Sequence, residues 1–426
     1  MRNNIEQNII FSDYYKKYIE GKGIDVSFNH YIKNSIHYNK DIDQLYRPGV
    51  DVGLEEYDFL YSFNIINQNK FSIICIKEWL YLIKNGGFII IHFEENKLIN
   101  HQKFLSDLLQ SWPNGEFILE VNDKLNNFYV IKKVKTLLIE GDTIEKWTFG
   151  IVTQGKRDDW LNQIIDSIEL QKIPNYELIL CGKVNNTDIK NRKFIKYIEF
   201  TENDEKGWIT RKKNLIVENA KYENICIIHD RIVFDKNWFE GMLKWGNNFE
   251  HLSPYYEWEG NYFYNFTSNI FYYSYIPYNF ILALITGLDK KDFDDTVVCG
   301  GNIHIGKKSI FYKYKWDEKL FWINNTFEDW SISYLLNTHG YFVRLNPYSK
   351  NIALYHRFNL CPIRKFNKYK KGGYLHISLK QRVLRIIGPF LLQNTLFKKL
   401  LKIRNEKDSL LLTFKKFIDE LRKKSS

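Results

Sequence analysis

Asp230 ends the run Asn224-Ile-Cys-Ile-Ile-His-Asp230, apolar from Ile225 to Ile228 and polar at its last two residues. A carboxylate in that position is well placed to bind a divalent cation, which in turn can hold a diphosphate. The plainer reading is a turn residue at a strand end. Cys299-Gly-Gly-Asn302 comes later, a small-residue turn that lets backbone approach a ligand. Two acidic blocks follow, Trp316-Asp-Glu-Lys319 and Phe327-Glu-Asp-Trp330. The second opens a helix through Ile332–Leu336. Carboxylates are favoured by the dipole of a helix N-terminus, so Glu328 and Asp329 also read as caps. His356 ends a further apolar run, Ile352-Ala-Leu-Tyr355. Cys299 has no His/Asn arrangement beside it and reads as a small core residue.

The elements that must position these residues form an α/β series. Thr148–Thr153 reads as a strand, Trp160–Leu170 as a helix ending before Pro174, and Glu177–Cys181 and Phe194–Phe200 as the next strands. A helix through Arg211–Ala220 then leads into the strand that ends at Asp230. In an open sheet of this kind ligands bind outside the carboxyl ends of the strands. The aromatic-rich segment 254–280 is too interrupted by polar residues for a buried helix. Its rings serve either packing or sugar stacking.

Taken in order, these blocks resemble family 2 glycosyltransferases with the GT-A fold, over roughly Trp147 to His356. Such enzymes carry a segment like Ser-Ile-x-x-Gln-x-x-Pro-x-x-Glu, and Ser167-Ile-Glu-Leu-Gln-Lys-Ile-Pro-Asn-Tyr-Glu177 matches it. Arg211 and Asn214 match the Arg/Asn segment before the metal strand. The usual Asp-x-Asp reads His229-Asp230-Arg231-Ile232, with Ile232 standing where the second carboxylate would be. The Gly-Gly-Asn, Trp-Asp-Glu and Glu-Asp-Trp blocks match in order, and His356 matches a late metal-binding His. The resemblance implies inverting transfer of a sugar from a nucleoside-diphosphate sugar to an acceptor hydroxyl, with Asp329 as general base. Thr153, Arg211, Asn214, Asp230 and Arg231 would face the donor. Gly300, Gly301, Asn302, Glu328 and Trp330 would face the acceptor, Glu328 orienting the loop or touching it. Mn²⁺ or Mg²⁺ held by Asp230 and His356 would stabilise the departing diphosphate, with Arg231 or Arg211 to supplement or replace it. The strand Glu177–Cys181 runs into Gly182-Lys183 rather than an Asp-rich turn, so nothing here names the base.

The first 140 residues contain strand, helix, Gly turn and strand: Tyr57–Tyr61, Ile73–Ile83, Asn85-Gly-Gly87 and Phe88–His92, with Phe128–Lys132 as a closing strand. Gly21-Lys-Gly-Ile-Asp-Val26, Tyr57–Ser62 and Leu82–Phe88 resemble successive motifs of S-adenosylmethionine-dependent methyltransferases. The turn that should admit the cofactor reads Ser27-Phe28-Asn29-His30, without glycine. S-adenosylmethionine is therefore not expected, and the region reads as a degenerate docking or structural module. The expected organisation is α/β throughout. A smaller Rossmann-like, methyltransferase-type domain covers 1–140 and a GT-A nucleotide-diphospho-sugar transferase domain covers 145–360. A basic, mainly helical extension covers 361–426.

Charge separates these parts. The 426 residues carry a net +11. From Ile363 to Ser426 there are 18 basic and 4 acidic residues, leaving that stretch at +14 and residues 1–362 at −3. A nucleic-acid binder would carry basic charge on its folded body, so nucleic acid is not an expected partner. Leu384, Ile387, Leu391, Leu396, Leu400 and Ile403 recur at helical spacing among Arg and Lys. They suit either an anionic membrane surface or packing on the body. Five scattered cysteines without a Cys-x-x-Cys pair fit a reducing compartment and argue against a structural zinc site. With no long apolar run and a polar N-terminal stretch, the expected location is the cytoplasm, peripheral to the inner membrane face. The leading function is a glycosyltransferase using a glycan or lipid-linked acceptor in polysaccharide biosynthesis. The alternatives are a non-catalytic glycan- or nucleotide-binding protein and a bifunctional methyl- and glycosyltransferase.

Overall fold

Apolar runs alternating with polar turns build two separate sheets in the computed structural model. It describes residues 16–38, 54–68, 72–110, 112–137, 141–203, 207–258, 261–264, 266–268, 297–323 and 328–355. The first sheet contains β1 (Gly23–Asp25), β2 (Ser35–His37), β3 (Tyr57–Phe63), β4 (Ile83–His92), β5 (Gly115–Asp123) and β6 (Phe128–Thr136), in spatial order β2-β1-β3-β4-β6-β5. The four strands from β2 to β4 run parallel, and β6 and β5 close the sheet antiparallel. Helices α1 (Ser72–Leu82) and α2 (His101–Gln110) cover it. The expected strand, helix and strand are present, but Asn85-Gly-Gly87 lies within β4, as an irregularity in its pairing with β3 where Gly86 takes a φ of 86°. Asp25, at the end of β1, accepts backbone N–H bonds from Ser27 (2.9 Å), Tyr31 (2.6 Å) and Ile32 (3.1 Å). One carboxylate thus ties up the amides of the turn that follows.

The second sheet begins at β7 (Lys146–Gln154), with α3 (Asp158–Glu169), β8 (Asn175–Lys183), β9 (Ile195–Ile198), α4 (Ile209–Asn219) and β10 (Asn224–His229). The four strands are parallel, in the order β10-β7-β8-β9. Helix α3 is amphipathic by simple spacing: Leu161, Ile164, Ile165 and Ile168 are all buried. Each such side chain contributes roughly 1.5–3 kcal/mol on burial. After β11 (Ile232–Phe234) and α5 (Trp238–Trp245) come β12 (His251–Trp258), β13 (Asn261–Tyr264), β14 (Phe266–Ser268), β15 (Val297–Cys299) and β16 (Ile303–Lys307). The chain continues through α6 (Lys308–Lys313), α7 (Glu328–Thr338) and β17 (Val343–Ala353). Strand β16 lies antiparallel beside β10, and β12, β17 and β11 extend the sheet from there. The α/β class expected from the sequence holds for both sheets. The described part of the aromatic segment is strand, in β12 to β14, and residues 269–280 lie outside the described residues.

Buried ion pairs join the two sheets. Lys77 on α1 meets Glu250 at 3.0 Å, and both are at most 1% exposed. Lys77 also donates to the Gly340 carbonyl, while Tyr81 and Asn114 donate to the same Glu250 carboxylate. Nearby, Arg344 on β17 pairs with Glu78 at 3.1 Å, again buried on both sides. Among the described residues no helix is long and apolar enough to cross a membrane. The extension 361–426 lies outside the described residues, as does His356.

Candidate active site

Strands β7 and β10 are neighbours in parallel register, with Val152 beside His229, so the residues just past their carboxyl ends meet. Thr153 donates its hydroxyl to Asp230 Oδ2 at 2.9 Å. Arg157 Nη1 donates to Asp230 Oδ1 at 2.7 Å. Asp230 is 7% exposed, so this is a nearly buried carboxylate with both oxygens engaged. Lys212, on α4 and buried, donates to the Thr153 carbonyl at 2.8 Å and adds a second cation behind the strand end. Asp158, next to Arg157, accepts the backbone N–H groups of Asn185 and Asn186 and so fixes the loop after β8.

The Gly-Gly-Asn turn sits between β15 and β16 and links this carboxylate to the second acidic block. Asn302 accepts a side-chain bond from Arg231, and its carbonyl takes the His229 N–H at 3.1 Å. The Gly301 N–H donates to Asp329 Oδ2 at 3.1 Å. The Gly301 carbonyl accepts from Lys213 Nζ at 3.0 Å, and the same ammonium pairs with Glu328 at 2.8 Å. Glu328 and Asp329 occupy the first turn of α7, as the sequence implied. Burial pushes the Glu328 carboxyl up to about 7 against the pull of Lys213. Burial also raises Asp329 above the ordinary carboxylate range, with Lys213 and the backbone N–H groups of the turn pulling the other way. Asp329 keeps a partly exposed face, whereas Glu328 and Trp330 are buried. Glu328 is thus anchored by Lys213, while the Asp329 oxygens accept the backbone N–H groups of Gly301 and Trp330.

Arg211 and Asn214 face the Trp-Asp-Glu block rather than Asp230. Asn214 donates to the Trp316 carbonyl and to Glu318, both at 2.9 Å, and accepts the Trp316 N–H. Arg211 pairs with Glu318 at 3.1 Å. The structure thus brings Thr153, Asp230, Arg231, Gly301, Asn302, Glu328 and Asp329 into one connected network. Arg157, Lys212 and Lys213 belong to it and were not singled out in the sequence. Arg157 had a faint signal, a basic residue just past the β7 strand end. The two lysines had none, because nothing in the spacing of α4 marks a lysine as buried.

The described donors are a poor fit for Mn²⁺ or Mg²⁺. Those ions take several oxygen ligands. Asp230 offers one carboxylate, already in contact with a guanidinium, and Ile232 is fully buried in β11. Tyr355 lies 5.7 Å from the Arg157 guanidinium, and His356 lies outside the described residues. A second group of ligating side chains, His251, Cys299 and His304, lies within 4.8 Å and is buried. It is a soft nitrogen and sulfur set, unsuited to Mg²⁺. Desolvation lowers His251 to about 3 and holds His304 and the Cys299 thiol in their neutral forms. The Cys299 thiol donates to the Ile303 carbonyl at 3.2 Å, in keeping with the core reading of this residue.

No protein-family model and no curated protein matches the chain. Two solved structures of S. aureus TarS overlap it. TarS 1-349 has a TM-score of 0.32 at 10% identity, over 48% of this chain and 60% of that one. The other TarS structure has a TM-score of 0.33 at 11% identity, over 49% of this chain and 37% of that one. The match thus spans less than two thirds of either TarS chain, and likeness at this level carries nothing about chemistry.

Gly301 is where the network is least tolerant. A Cβ there would fall on the Glu328 carboxylate, which Lys213 holds in place. Gly301→Ala is expected to cost about 1–3 kcal/mol of stability, as overpacking does. It should also displace the backbone N–H that holds Asp329. An unfolding midpoint equal to that of the unmodified protein would show that the turn has slack.

Proposed function

We propose that this chain is an inverting glycosyltransferase that moves a sugar from a nucleoside-diphosphate sugar to a hydroxyl of a glycan or lipid-linked acceptor. The observation that carries the reading is the fixed carboxylate of Asp329. It opens a helix, is held by the Gly301 N–H, and lies beside the Gly-Gly-Asn turn to which Arg231, next to Asp230 on the carboxyl edge of a parallel sheet, bonds through Asn302. Open α/β sheets bind ligands at that edge. Asp329 would take the acceptor proton as the hydroxyl attacks the anomeric carbon and the diphosphate leaves from the opposite face. A base whose pKa is raised toward the working pH suits this task. Glu328, anchored by Lys213, would position the turn. Gly300, Asn302 and Trp330 would shape the acceptor side, and Thr153 and Arg231 the donor side. Arg211 and Asn214 would act on the donor through the Trp316–Glu318 loop that they hold.

In this reading residues 145–360 form the GT-A transferase domain. Residues 1–140 form a degenerate, methyltransferase-like module that docks rather than catalyses, and 361–426 form a basic extension suited to an anionic membrane surface at its inner face. Support for the docking role comes from Asp25, which occupies the turn amides of the first sheet, and from the buried ion pairs between the sheets. Thermal shift across UDP-, GDP- and dTDP-sugars tests the proposal. One donor class should raise the melting temperature, and S-adenosylmethionine should not. Stabilisation by S-adenosylmethionine alone would replace this reading with methyl transfer.

A further inference from the structure

Resting on that reading, we infer that the diphosphate of the donor is held by Arg157 and needs no divalent cation. Three observations lead there. First, both oxygens of Asp230 are committed, one to the Thr153 hydroxyl and one to Arg157. A cation bound there would face the guanidinium charge across a single carboxylate. Second, Ile232, at the place of the second carboxylate, is fully buried and paired in the sheet with Ala353 on β17. Third, Arg157 is built as a binding group. Its guanidinium lies 5.1 Å from the ring of Trp160 and 5.7 Å from that of Tyr355. Its side chain is 31% exposed. Among the described residues its only side-chain hydrogen bond goes to Asp230, which leaves further N–H donors for a ligand.

A guanidinium oriented by a carboxylate and flanked by aromatic rings suits bidentate contact with phosphate oxygens. It supplies the fixed positive charge that a departing diphosphate requires, without exchange of metal ligands. Asp230 is then a positioning residue, setting the direction of Arg157 rather than ligating a metal.

Calorimetric titration of the full chain with UDP, GDP and dTDP, in chelator and then in excess Mn²⁺ or Mg²⁺, tests this. One nucleoside diphosphate should bind in chelator, with an affinity that the metal changes by less than about threefold. Arg157→Ala should weaken it about 10–100-fold, the worth of a charged hydrogen-bond pair, and Arg157→Lys should recover only part of that loss. Asp230→Asn should weaken chelated binding in the same sense, and matched circular dichroism spectra would confirm that each variant is folded. Binding that appears only with metal, or that survives Arg157→Ala unchanged, overturns the inference and leaves glycosyl transfer standing. Absence of binding by every nucleoside diphosphate in both conditions overturns the transferase reading itself, and the inference with it.

Discussion

Asp329→Asn is expected to lower the turnover of the nucleotide-sugar donor by about 10²–10⁴-fold, the usual worth of a positioned general base. Donor affinity should change by less than about threefold, because the lost interaction acts in the transition state and not in the bound ground state. The substitution preserves shape, and the Asn side-chain oxygen can keep the Gly301 N–H now at 3.1 Å, though not the Trp330 N–H at 3.0 Å as well. A loss of affinity equal to the loss of rate would point instead to a collapsed turn. The pH profile gives an independent check. The base must be ionised, so the rate should rise with pH through an apparent pKa above the ordinary carboxylate range, since burial raises Asp329. Stability runs the other way. The folded state holds the Glu328 proton up to about 7, against 4.5 for the free group. Its contribution is complete below the free value and is lost as pH rises through about 7.

The second large effect concerns the seam between the sheets. Glu250→Ala leaves Lys77 buried, and it takes the acceptor from Tyr81 and Asn114. Removing one partner of a buried ion pair typically costs about 3–5 kcal/mol. The urea midpoint should fall accordingly. The double variant Lys77→Met with Glu250→Leu should recover most of the loss, because no charge is then left buried. A loss below about 1 kcal/mol in the single variant, the range of exposed pairs, would mean that water reaches Lys77 and that the two sheets are not tied at this point.

What could be read in advance follows the range over which the signals act. Strand β10 announces itself by four consecutive apolar residues, and Asp230 lies one residue past its end. The Gly-Gly-Asn turn and the acidic start of α7 were legible because their residue types are local devices for close approach and for a helix N-terminus. Strand β5 was not, since most of its side chains are exposed or half-buried and its apolar run, Phe117-Ile-Leu119, is only three residues long. The partners of the site residues were harder still. Lys213 meets Glu328 across 115 positions of sequence, and Arg157 meets Asp230 across 73. Spacing does not encode such pairs. Asn214 shows the same limit: its match to a donor-side segment is real as a pattern, yet its side chain is spent on the Trp316 backbone and Glu318.

The most direct test of glycosyl transfer is the release of free nucleoside diphosphate by the unmodified chain from UDP-, GDP- and dTDP-sugars, with hydroxyl acceptors present. The site described here predicts turnover of one donor class and its loss in the Asp329→Asn protein. Tight donor binding with no release in the presence of any acceptor, or equal release by both proteins, would contradict it and leave a nucleotide-binding protein in place of an enzyme.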